Sequence, residues 1–166
     1  DNNATTPVVP EVLDAMLPYW SDKFGNASSM HQEGRLARRA IETARDTIAE
    51  RLDASPEQVI FTSGGTEANN LAILGFAGQP PGRLVTSSIE HPSVLGCFDL
   101  LERRGFHVQR APVDRSGVVC RDLFFQLLTP DTRLASVMLV NNETGAIQPV
   151  VELAAAERGQ GALFHC

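Results

Sequence analysis

Three short polar clusters carry residue types that could hold and act on a small, flat, anionic ligand: Ser63-Gly64-Gly65-Thr66-Glu67, Glu90-His91-Pro92 and Asn141-Asn142-Glu143-Thr144-Gly145. In the first, glycines let backbone N–H groups approach an anion. A helix starting directly after them adds partial positive charge, and Thr66 adds a hydroxyl donor. A phosphate is the natural guest. The nucleotide-binding loop Gly-x-x-x-x-Gly-Lys-Ser/Thr is excluded, because no lysine is nearby. A bare Ser-Gly-Gly-Thr serves equally as a turn that merely opens a helix. His91 stands before a proline suited to a first helical turn, where an imidazole could stack on an aromatic ring or move a proton near neutral pH. It could as well be a plain helix-start residue. The asparagine amides could donate to a phenolic or carboxylate oxygen without adding charge, or make an ordinary turn with Gly145.

The elements that must position these clusters follow from hydrophobic periodicity. Val12, Leu13, Met16 and Leu17 recur at helical spacing within residues 10–20, with Pro18 bending or closing the segment. A long helix is expected from about Met30 to Leu52, capped by Ser28 or Ser29, with Leu36, Ala40, Ala44, Ile48 and Leu52 along one face. Beyond Ser55-Pro56-Glu57, strands and helices alternate. Strands are expected at Val59–Thr62, Leu84–Ser87, Phe106–Val113, Leu134–Val140 and Ala162–His165. Helices are expected at Glu67–Ala77, Pro92–Arg104, Arg121–Leu128 and Val150–Arg158. Short apolar strands between amphipathic helices predict an α/β fold with a mainly parallel sheet flanked by helices. In such sheets ligands bind beyond the carboxyl ends of the strands, which is where all three clusters fall.

Bulk properties narrow the function classes. The chain has 166 residues, 43% hydrophobic and 20% charged, enough for a packed core and unlike a disordered chain. A net charge of −6 gives no electrostatic reason to expect nucleic acid or an anionic membrane as partner. No apolar run reaches the roughly 18 residues of a membrane span, and no secretory signal opens the chain. Cys97, Cys120 and Cys166 are too scattered for a disulfide framework or a zinc site, so no metal is expected and a reducing, cytoplasmic setting fits.

The clusters sit within longer runs. Asp1-Asn2-Asn3-Ala4-Thr5-Thr6-Pro7, Phe24-Gly25-Asn26, Ser28-Ser29-Met30-His31-Gln32-Glu33-Gly34-Arg35, Phe61 to Asn70, Ile89 to Leu95, Asn141 to Gly145 and Leu163-Phe164-His165 follow one another in order along the whole chain. Together they resemble the N-terminal half of the NifS/IscS class of cysteine desulfurases, in the class V aminotransferase family. Ala27 departs from the proline usual in that class. The resemblance implies part of the large domain of a fold-type-I enzyme using pyridoxal 5'-phosphate, residues 54–166, preceded by a helical segment, residues 1–53, belonging to the small domain and interface. It implies release of sulfur from L-cysteine as an enzyme-bound persulfide, a sulfur acceptor or scaffold protein for iron–sulfur cluster or thio-cofactor synthesis, and a homodimer. Gly65 and Thr66 then resemble phosphate ligands, His91 the catalytic residue stacked on the pyridine ring, and Asn142 the donor to the phenolic oxygen. Asn2, Asn3 and His31 are expected at the site mouth or dimer contact.

The same resemblance marks what this sequence lacks. The family's aspartate at the pyridine nitrogen follows Phe-His-x, and Cys166 is that x. The cofactor-anchoring lysine, the persulfide cysteine on a mobile loop and an arginine for the substrate carboxylate come later still. Lys23 is the only lysine beside thirteen arginines and lies in a polar segment away from every expected strand end. The expectation is a fragment that is inactive alone. Selenocysteine lyases and transaminases of the same superfamily are the related alternative, and a non-catalytic module keeping the fold is the alternative of another class.

Overall fold

The computed structural model describes residues 2, 5–158 and 161–166, so Asp1, Asn3 and Ala4 of the opening run lie outside the described residues. The chain forms two compact units, Asp1–Phe61 and Thr62–Cys166.

The first unit is helical. Helix α1 (Pro10–Met16) begins with proline at its first position and passes into a 3-10 turn at Leu17–Trp20, where Pro18 cannot continue the α-helical ladder. Helix α2 (Gln32–Arg51) starts later than expected. Its cap is His31, whose Nδ1 accepts from Gly34 N–H at 3.3 Å, whereas Ser28 N–H is drawn to Asn26 Oδ1 at 2.9 Å. Gly34 cannot be replaced here without movement, since a Cβ would stand 2.7 Å from the Asn26 carbonyl oxygen.

The expected strand at Val59–Thr62 does not form. Arg45 donates to the Val59 carbonyl and stacks its guanidinium 5.0 Å from the Phe61 ring centroid, and no strand pairs with the segment. Ile60 is 67% exposed, so this apolar run is not the buried strand its composition suggests.

The second unit is the expected layered fold. Helix α3 (Gly65–Phe76) precedes β1 (Arg83–Ser87), α4 (Pro92–Arg103), β2 (His107–Ala111), α5 (Arg121–Leu127), β3 (Thr132–Ser136), α6 (Val150–Arg158) and β4 (Leu163–His165). The four strands form one wholly parallel sheet in the order β2-β1-β3-β4. Residues alternate between its faces. Leu84, Val108 and Leu134 pack with Ile73, Phe98 and Leu101 of α3 and α4 on one side. Val85, Ala111 and Ala135 pack with Phe124 of α5 and Leu153 of α6 on the other. From β1 the chain winds outward to β2, then crosses back and winds the other way through β3 to β4. The winding therefore reverses between β1 and β3, and the region beyond the carboxyl ends of those strands is where such sheets bind ligands.

No helix among the described residues is long and apolar enough to cross a membrane.

Candidate functional site

Strand β1 ends at Ser87 and leads through Ser88, Ile89 and Glu90 to His91, the cap of α4. Pro92 at the first helical position turns the chain, and His91 Nδ1 accepts the Ser93 backbone N–H at 3.1 Å. Ser93 Oγ lies 2.7 Å from the same nitrogen and accepts from Asn69 Nδ2 of α3 at 2.9 Å, so its own proton points to Nδ1. With Nδ1 accepting, the neutral imidazole carries its hydrogen on Nε2, and the ring is exposed. His91 is thus both the helix-start residue and an orientated imidazole at the crevice.

Strand β3 is shorter than expected, because after Ser136 the backbone turns to other partners. Met138 N–H donates to Glu90 Oε1 at 2.9 Å. Asn141 is buried and organises the turn that follows. Its Oδ1 accepts from Glu143 N–H at 3.0 Å, Thr144 N–H at 2.9 Å and Thr144 Oγ1 at 3.1 Å, while its Nδ2 donates to the Ile89 carbonyl at 3.0 Å. Gly145 closes the turn with φ +74°, a conformation that favours glycine. Asn142 is exposed on this turn and donates to Glu143 Oε1 at 3.1 Å, a bond that a donor role toward a ligand must share or exchange.

The third corner is the start of α3. Glycine 65 and Thr66 are its first residues, two earlier than expected, so their N–H groups belong to the unpaired first turn. A Cβ placed on Gly64 or Gly65 would meet nothing within 4 Å, leaving open space above those amides. Glu67 binds Ser63 instead, accepting its N–H at 2.7 Å and its hydroxyl. The Ser63 hydroxyl and then its N–H hold the Glu67 carboxyl below the usual range.

Below the crevice a polar row crosses the sheet in register, with Thr86 beside Ser136 and Ser136 beside His165. The Ser136 hydroxyl lies 2.8 Å from His165 Nδ1, and burial lowers the His165 pKa. Of the remaining nucleophile candidates, Cys166 directly follows β4 and lies near Glu90; burial first and then that carboxyl push its thiol pKa up. Cys97 is buried in α4 with its thiol turned to the Ser93 carbonyl at 3.2 Å, and burial pushes its pKa up. Cys120 is half-buried at the start of α5, and Cys166 is exposed. Lys23 belongs to the first unit, where its Nζ lies 5.7 Å from the Tyr19 ring centroid.

Direct bonds therefore tie the elements bearing all three clusters: α3 to the His91 cap through Asn69 and Ser93, and the His91 loop to the β3 turn through Glu90 and Asn141. The sequence assigned no role to Asn69, Glu90 or Ser93, and for Asn141 it suggested donation to a ligand rather than the bond to the Ile89 carbonyl. The bonds from Asn69 to Ser93 and from Glu90 and Asn141 across the crevice span 24 to 52 residues, and no spacing rule reports them. Open helix-start amides, an orientated exposed imidazole and an amide-bearing turn at one switch point fit a flat aromatic ring carrying a phosphate.

The wholly parallel sheet flanked by helices is the layer that solved relatives of this chain share. The model of the aminotransferase class-V family matches residues 1–166, and the chain belongs to that family. It is 48% identical to a cysteine desulfurase of Sinorhizobium fredii over 99% of this chain and 44% of that protein. Among solved structures it superposes on a NifS-like protein with a TM-score of 0.92 at 36% identity, covering 99% of this chain and 47% of the other. It superposes on SspA in complex with cysteine with a TM-score of 0.91 at 40% identity, covering 99% and 48%. The chain spans a little under half the length of these relatives.

Proposed function

We propose that this chain supplies the phosphate- and ring-binding part of a pyridoxal 5'-phosphate-dependent cysteine desulfurase, which takes sulfur from L-cysteine, leaves alanine and holds the sulfur as a protein persulfide. The observation that carries this reading is the junction of the His91 loop, the Asn141–Gly145 turn and the α3 start at the reversal of the sheet. When bound, the cofactor supplies an electron sink that weakens bonds at the substrate's α-carbon. Gly65 and Thr66 bind the phosphate with their first-turn N–H groups and the Thr66 hydroxyl. His91 lies against the ring face and keeps its hydrogen on Nε2, where it can serve proton transfer. Asn142 orientates the phenolic oxygen by donating to it.

Residues 54–166 act as the cofactor domain, and residues 1–53 belong to the small domain and interface. The persulfide passes to a sulfur acceptor or scaffold protein for iron–sulfur cluster or thio-cofactor synthesis, and the working enzyme is a cytoplasmic homodimer.

The test is alanine formation from L-cysteine by the full-length protein containing this chain, loaded with pyridoxal 5'-phosphate, with a thiol reductant such as dithiothreitol added to reduce the persulfide and release its sulfur as sulfide. With the reductant in excess, both products are expected in equal amounts. Substituting Thr66 or His91 by alanine should lower kcat/KM by about 100-fold, in the range of lost positioning or proton-transfer groups. A cofactor-loaded protein that releases neither product from L-cysteine would overturn the reading.

A further inference from the structure

Glu90 is 6% exposed, and its carboxyl lies between the end of β1 and the segment leaving β3. One oxygen, Oε1, accepts from both sides: the Ser87 hydroxyl on its own loop and the Met138 N–H 48 residues away. Three residues beyond Met138, Asn141 is 7% exposed and reaches back to the Ile89 carbonyl, 52 residues distant, on the same loop. The two cross-links run in opposite chemical directions. A carboxyl of the His91 loop accepts from the β3 segment, and an amide of the β3 segment donates to the His91 loop.

Burying a carboxyl is costly unless it is satisfied, and leaving a buried N–H or C=O unpaired is costly as well. Each partner therefore makes the other's position the favourable one. Their neighbours are the residues proposed to touch the cofactor: His91 directly follows Glu90, and Asn142 directly follows Asn141.

We infer that Glu90 and Asn141 are positioning residues, a paired latch that fixes the His91 imidazole relative to the Asn142 turn so that both address one bound ring. The inference concerns the arrangement of the two loops and rests on the proposed cofactor reading only for what the latch serves. Burial raises the Glu90 pKa, which suits a group acting by hydrogen bonding rather than by charge. On that footing Glu90→Gln keeps the latch, because its amide oxygen can still accept from Ser87 and Met138, whereas Glu90→Ala opens it. Asn141→Asp separates the two roles of Asn141. A carboxylate still accepts from Glu143 and Thr144, but it cannot donate to the Ile89 carbonyl.

The experiment is NMR on the full-length protein containing this chain, without added cofactor, reading the His91 ring nitrogens and amide exchange at Met138, Glu143 and Thr144, followed by titration with pyridoxal 5'-phosphate. Glu90→Ala should speed exchange at Met138 by about tenfold or more, the loss expected for one buried hydrogen bond. Asn141→Asp should leave Glu143 and Thr144 protected. Both variants should shift or broaden the His91 ring signals from across the crevice, and Glu90→Gln should resemble wild type. Each disruptive variant should weaken cofactor binding by about tenfold, and the double variant no more than the worse single, the mark of a shared unit. The latch is overturned if both disruptive variants leave the His91 ring signals and Met138 exchange as in wild type. If those signals respond while wild type binds no pyridoxal 5'-phosphate, the latch stands and the cofactor reading fails.

Discussion

The Ser63–Glu67 corner and the Glu90–Asn141 latch belong to the same compact unit but are held by different kinds of bond. At the first, Ser63 and Glu67 are four residues apart, and Thr62 Oγ1 donates to the Gly64 carbonyl two residues on, all at the surface. At the second, the bonds bridge 48 and 52 residues and the carboxyl and amide are buried. A local, solvated corner forms with its own helix turn and yields easily to a ligand. A buried corner forms only when the whole sheet has closed, and it then holds side chains to a single geometry. The proposed site combines the two, an adaptable anion cradle facing a rigid ring-and-amide frame.

The sharpest way to break this contrast is to attack the core behind the rigid corner. Phe98 is fully buried in α4, the helix that His91 caps, and Phe98→Ala should cost about 3–5 kcal/mol in urea unfolding. Protection at Met138 N–H should fall with it, while Ser63 N–H, held by a bond at the surface, should change little.

A smaller effect is expected at Gln148, which is 3% exposed, accepts Val119 N–H at 2.8 Å and donates to the Gly117 carbonyl at 2.8 Å. Gln148→Ala leaves both backbone groups unpaired and should cost about 1–3 kcal/mol by the same measurement. A cost near zero would show that distant bonds in this unit are no more binding than local ones.

The two corners should answer pH with opposite signs. Burial raises Glu90 above its ordinary 4.5, opposed by the bonds from Ser87 and Met138. Its folded state favours the proton, so its contribution is present below 4.5 and lost as pH rises through the raised value. Glu67 is lowered by Ser63, so its contribution is present above 4.5 and lost as pH falls through the lowered value. Carboxyl carbon NMR titration should place the two midpoints on opposite sides of 4.5, and a Glu90 midpoint below it would remove the distinction.

The smallest effect belongs to Glu67→Gln. Its amide oxygen can still accept from Ser63, so the unfolding midpoint should stay within measurement scatter and Ser63 N–H should exchange only slightly faster. A clear loss of stability would mean that the surface corner also depends on the fold.

Much of the layer was legible beforehand because its strands are short apolar runs and its helices show a 3.6-residue period. The Arg83–Ser87 strand and the Pro92–Arg103 helix fall within one residue of expectation at each end. Val59–Thr62 has an equally apolar run and is no strand, because strand formation needs a neighbour to pair with and Arg45 claims the Val59 carbonyl instead. The α2 cap was misplaced for a similar reason: Ser28 and Ser29 have capping side chains, but Asn26 holds the Ser28 N–H and His31 reaches Gly34. Gly65, Thr66, His91 and Asn142 were visible in polar clusters, although among the described residues no strand precedes the first of these; Glu90 had no task of its own there, and the Asn141 amide, a candidate ligand donor, is spent on the Ile89 carbonyl.

The order of residues alone commits this chain to alternating layers, to a glycine turn opening a helix at Gly64-Gly65 and to a histidine and an asparagine in the loops that follow β1 and β3, because periodicity and turn chemistry act over a few neighbouring residues. Which ends meet was left to folding. The reversal of winding between β1 and β3 brings Glu90 within 2.9 Å of Met138 N–H and Asn141 within 3.0 Å of the Ile89 carbonyl. Bonds across about 50 residues are worth making only once burial has removed the water that would otherwise satisfy both partners.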